Sequence, residues 1–103
     1  MRFSHKDKKD ERVSQQSTYP FEFPQKLDQA PKEQGVFVLL NATDDVLYVG
    51  CAAAGGIAEA LSVMTGAISD AVTYRWFVTE TAQVAEALAQ DWIGKYQPDN
   101  QNL

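Results

Sequence analysis

An α+β fold, with a three-stranded antiparallel sheet packed against helices in the order β-β-α-β-α, is predicted by three observations. Two apolar runs, Gly35-Val36-Phe37-Val38-Leu39-Leu40 and Val46-Leu47-Tyr48-Val49-Gly50, flank a short polar segment containing Asp44 and Asp45. A third run, Val72 to Thr79, is rich in β-branched and aromatic residues. Two stretches, one on each side of that run, space their apolar residues at helical intervals.

The first two runs compose a β-hairpin. Asn41 to Asp45 contains no Asn-Gly or Asp-Gly pair, so a loop of about four or five residues is expected rather than a two-residue turn. Both strands are nearly continuous in apolar residues, which places the hairpin at the centre of the core with cover on both faces. Cys51-Ala52-Ala53-Ala54-Gly55-Gly56 then reads as a small-residue connection. Its glycine pair has the composition of a phosphate cradle. No Lys, Ser or Thr follows at phosphate-loop spacing, so a nucleotide-binding reading ranks behind the others.

Ile57, Leu61 and Met64 fall at i, i+4 and i+7, giving a first helix that Gly66 ends. In the third strand Val72, Tyr74, Trp76 and Val78 share one face; Thr73, Arg75, Phe77 and Thr79 share the other. A second helix over about Thr81 to Tyr96 has two adjacent apolar rows, Val84-Leu88-Trp92 and Ala85-Ala89-Ile93-Tyr96. Its cap is expected at Thr79 or Thr81, with Glu80 placed favourably for the helix dipole.

Two regions follow from composition. Residues 1–29 are read as a flexible polar tail, ending in an aromatic and proline clip, Tyr19-Pro20-Phe21-Glu22-Phe23-Pro24. Residues 30–103 are read as the domain. Residues 1–34 carry seven basic and six acidic residues, whereas residues 35–103 carry two basic residues, Arg75 and Lys95, and eight acidic ones. A body with a net charge of −6 repels phosphate backbones. That disfavours nucleic acid and leaves another protein as the expected partner. With no long apolar run and a single cysteine, a cytoplasmic location without membrane contact is the default. Cys51 is expected to be a small buried or half-buried residue, because the sole histidine, His5, lies in the polar tail and supplies no nearby base.

Gly35-Val36-Phe37 and Tyr48-Val49-Gly50 resemble the paired triplets of the GIY-YIG nuclease superfamily. The element order is similar to that family's core. The lead-in Ala30-Pro31-Lys32-Glu33-Gln34 and the closing run Trp92-Ile93-Gly94-Lys95-Tyr96-Gln97-Pro98 also resemble its flanks. The resemblance spans about residues 30–102. It implies metal-assisted phosphodiester hydrolysis by two tyrosines, a helical Arg and a metal-binding Glu.

Carried over position by position, the first tyrosine falls at Phe37, which has no hydroxyl, and the second at Tyr48. The basic position after the second triplet is Cys51. The helical Arg falls at Ala60 and the metal-binding Glu at Ala89, with Glu86 one turn earlier as a substitute. Asp91 projects from another side of the helix, and Asn100 or Asn102 matches a late Asn of the family. Loss of one electrostatic donor of the Arg type costs about 2.7–4 kcal/mol of transition-state stabilisation.

The expected function is therefore a non-catalytic GIY-YIG-like domain acting as a protein-interaction or assembly module, without metal or cofactor. Tyr48, Cys51, Ala60 and Glu86 are its candidate cleft contacts, and Phe21 and Phe23 an aromatic clip. The alternative is a divergent Mg²⁺- or Mn²⁺-dependent endonuclease, or a nucleic-acid-binding accessory related to DNA repair. In that reading Glu86 is the metal ligand, Tyr48 and Arg75 lie near phosphate, and the basic residues of the tail form a non-specific arm.

Overall fold

The computed structural model describes residues 1–53 and 55–102. Ala54, inside the connection expected over 51–56, and Leu103 lie outside the described residues. Five strands and two helices follow one another as β1 (Gln15–Gln16), β2 (Phe21–Glu22), β3 (Gly35–Leu40), β4 (Val46–Ala52), α1 (Gly56–Val63), β5 (Thr73–Val78) and α2 (Ala82–Tyr96). From Gly35 onward the order is the expected β-β-α-β-α.

β3 is the central strand. It pairs antiparallel with β4 on one side and with β5 on the other, and all six of its residues are buried. An apolar run with no polar alternation is what a doubly covered strand requires. The hairpin loop holds five residues, Asn41 to Asp45, between the paired Leu40 and Val46. No Gly is needed, because the Asn41 Oδ1 accepts hydrogen bonds from the Thr43 and Asp45 amides at 3.0 and 2.9 Å. Asp44 takes the left-handed conformation, with φ 64°.

The pleat divides the core in two. Val36, Val38 and Leu40 of β3, with Val49 and Phe77, meet Ala85, Leu88, Ala89, Trp92 and Tyr96 of α2 on one face. Phe37 and Leu39, with Tyr74 and Val78, meet Ile57 and Leu61 of α1 on the other. The helices therefore cover opposite faces of one sheet. Thr81 caps α2 as expected, its Oγ1 accepting from the Val84 amide at 3.1 Å.

The sheet has five strands rather than three, and the difference comes from residues 1–29. β1 and β2 lie end to end along the outer edge of β5, pairing Gln15 with Val78 and Phe21 with Tyr74. Ser17 plugs the gap between them: its amide donates to the Trp76 carbonyl, and its Oγ accepts from the Trp76 amide. Edge strands left bare template further pairing, and this segment covers one.

Nor is the start of the chain the expected loose tail. Phe3 is buried in the α2 cluster, and the Ser4 amide donates to the Tyr96 hydroxyl at 3.0 Å. A 3-10 turn, His5–Lys9, brings the Asp7 carboxylate to Lys95 Nζ at 3.0 Å and to the Tyr96 hydroxyl. Arg12 bridges Asp10 and Asp91, and its hydrogen bond holds the Asp10 carboxyl below the usual range. Three of the charges that make this segment look solvated, those of Asp7, Asp10 and Arg12, are thus engaged in ion pairs. No helix among the described residues is long and apolar enough to cross a membrane.

Candidate functional site

Phe37 lies at the centre of β3, on the α1 face, directly opposite Gly50. A Cβ at Gly50 would stand 2.2 Å from the Phe37 ring, so the ring rests on the bare glycine. This gives the glycine of the second triplet a packing role. Gly50→Ala is expected to cost about 1–3 kcal/mol in urea denaturation, the range for overpacking a filled core. Phe37→Leu in the same chain should recover part of that loss; no recovery would mean that the ring is not the obstruction.

Tyr48 sits diagonally from Phe37 on the same face, with ring centroids 6.0 Å apart, and is half-buried. Ala60 of α1 packs against this cluster. Phe37, Tyr48 and Ala60 are therefore brought together by the pleat of the hairpin and by the face that α1 turns to the sheet.

Ala89, Glu86 and Cys51 belong to the other side. Ala89 is buried in the α2 cluster at 2 % exposure. Cys51 is three residues beyond Tyr48 along a regularly paired stretch of β4, so the period of two turns it to the opposite face. It is exposed, where a buried or half-buried residue was expected. β4 is the outer strand at that end of the sheet, and the Glu86 carboxylate of α2 is close enough for its charge to act on Cys51. Desolvation of the sulfur, with the Glu86 charge second, pushes the Cys51 thiol up, which disfavours the reactive thiolate.

The site residues thus form two groups separated by the sheet: Phe37, Tyr48 and Ala60 on one face, Cys51, Glu86 and Ala89 on the other. Glu86 belongs to α2, which covers the face of the sheet opposite Tyr48. Among the described residues, no three His, Cys, Asp or Glu side chains gather into a metal-holding group.

The remaining candidates are elsewhere. Phe23 is buried edge-on against Tyr74, ring centroids 6.2 Å apart. Phe21 packs on Tyr74 and lines a cavity of about 350 Å³ with Tyr19, Pro20, Glu22, Lys26 and Gln29. Tyr74 donates to the Lys26 carbonyl at 2.6 Å, and burial pushes its hydroxyl up to about 12. The aromatic clip is thereby docked onto β5. Arg75 is buried on the α2 face, with Phe3 over its guanidinium and Arg2, His5 and Asp44 nearby. Sequence reasoning missed this second group, since nothing in the spacing of residues 2–5 signals that they return to β5.

Five strands, two helices on opposite faces and a central hairpin with its two triplets define a GIY-YIG-like fold. Two of the solved structures that the chain resembles illustrate the likeness. One is the GIY-YIG N-terminal endonuclease domain of UvrC from Thermotoga maritima, bound to its catalytic magnesium. The other is a tyrosine-to-phenylalanine point mutant of the same domain, bound to its catalytic divalent cation. The first aligns with TM-score 0.64 and 24% identity over 75% of this chain and 92% of that one. The second aligns with TM-score 0.63 and 24% identity over 75% and 91%. No protein-family profile matches the chain, and no curated protein does.

Proposed function

We propose that this chain is a non-catalytic GIY-YIG-like domain that works as a protein-interaction or assembly module. The observation that carries the reading is the placement of Ala89. Where the resemblance puts a metal-binding Glu, a methyl group is packed beneath the sheet in the α2 cluster. The nearest substitute, Glu86, is on the face opposite Tyr48. Ala60 supplies no positive charge for a phosphate, and the body of the chain is strongly acidic. The exposed strip formed by Cys51 and Glu86 on the outer strand and α2 is the surface we assign to a partner protein.

The test is a cleavage assay on supercoiled, duplex and branched DNA with Mg²⁺ or Mn²⁺. The expected result is no metal-dependent cleavage, and no retention of DNA at physiological salt. A retained partner protein should be lost with Glu86→Lys, an exposed substitution that leaves the fold intact. Metal-dependent cleavage that disappears with Glu86→Gln would establish the nuclease instead.

A further inference from the structure

β5 carries one charged side chain into the interior. Arg75 is 7 % exposed, and its Nη1 is buried with no hydrogen-bond partner among the described residues. None of the ion pairs among those residues includes it. Its guanidinium lies over the Phe3 ring, 5.5 Å from the centroid. A buried charge is ordinarily paired and hydrogen-bonded, because its desolvation is otherwise uncompensated. Burial does depress the basicity of this guanidinium, and the Asp44 charge offsets part of the effect.

The side chain opens onto a cavity of about 290 Å³ lined by Arg2, Phe3, His5, Leu40, Asp44 and Arg75. We propose that this cavity binds a small organic oxyanion, a carboxylate or phosphate group on a compact body, held between Arg75 at the base and Arg2 at the mouth. A guanidinium presents a fork of donors matched to two oxygens of such a group. Phe3 and Leu40 form the apolar wall for the body. Asp44 accepts a hydrogen bond from a hydroxyl or amino group on it, so the site favours an anion that also carries a donor. The volume is near the lower end of small-molecule pockets, about 300–1,000 Å³, which sets a compact ligand rather than a polymer. Arg2 is exposed, and its field also reaches Asp45, so it is available at the rim. The site is on the α2 face, away from Phe37 and Tyr48, and does not rest on the reading of those residues.

The experiment is a titration of the full ¹⁵N-labelled chain with inorganic phosphate and with acetate, at ionic strength held constant by sodium chloride. Saturable shifts are expected at Phe3, His5 and the Arg75 Nε–H, and whichever anion saturates first identifies the preferred head group. Linear shifts reproduced by chloride alone would overturn the site. Arg75→Met should abolish the saturable response and any rise in Tm with anion. The same variant should be at least as heat-stable as the parent in anion-free buffer, because an unpaired buried charge is replaced by an apolar side chain of similar length. Arg2→Ala, at an exposed position, should raise the half-saturating concentration about tenfold or more, the worth of one charge-assisted contact. If Arg75→Met does not fold, an unchanged half-saturation in Arg2→Ala overturns the proposal.

Discussion

Trp92→Ala is expected to cost about 3–5 kcal/mol, measured as the loss of unfolding free energy in urea. Trp92 is 2 % exposed in the C-terminal half of α2. Its ring meets Phe77 of β5 edge to face at 4.8 Å and Phe3 at 5.9 Å. One side chain therefore joins the helix, the sheet and the first residues of the chain. Aromatic pairs of this geometry add about 0.5–1.5 kcal/mol beyond the area they bury. Domains of this size have about 5–15 kcal/mol in total, so the variant should lose a large share of its stability. A cost under about 1 kcal/mol would mean that the α2 face is not the packed layer described.

Phe3→Ala is expected to cost about 3–5 kcal/mol as well, and it decides what the N-terminal segment is. Phe3 stacks on Tyr96 at 5.9 Å and touches Phe77 and Trp92. If residues 1–29 were a solvated tail, the substitution would fall within about 0.5 kcal/mol, as surface changes do. A belt that closes the core predicts a loss several times larger. Combining Phe3→Ala with Trp92→Ala should cost less than the two separately, because each removes a partner of the other.

The hairpin and both helices were legible because long elements carry a repeating signal. Val36 to Leu40 is apolar without a break, with Val36 and Val38 β-branched and Phe37 aromatic, and Thr81 followed by spaced Leu88 and Trp92 announces a capped amphipathic helix. β1 and β2 were not legible. Two residues have no period, and Phe3 and Ser17 act through partners more than fifty residues away, which local pattern cannot show. Cys51 was misplaced for a related reason. The period of two assigns a side chain to a face of β4, but not whether a helix covers that part of the face.

Only the resemblance singles out Ala60 and Ala89, since alanine on a helix carries no chemical signal of its own. For Arg75, the sequence shows a charged residue on a strand but not what surrounds it. The fold supplies the neighbours: β5 turns it inward beneath Phe3, and the same fold that buries it brings Arg2 and His5 to the rim of its cavity.

The seam between Ser4 and Tyr96 joins residues 92 positions apart. On a ribosome, a chain that has emerged through β5 has its hairpin, α1 and third long strand but not α2. Val36, Val38, Leu40 and Phe77 then present a bare apolar face, and Phe3 waits without Trp92 or Tyr96 to receive it. Stability arrives only when α2 leaves the exit tunnel and closes the layer in one step. Until that moment the partial product is a sheet with one greasy side, the state a cell's chaperones would meet first.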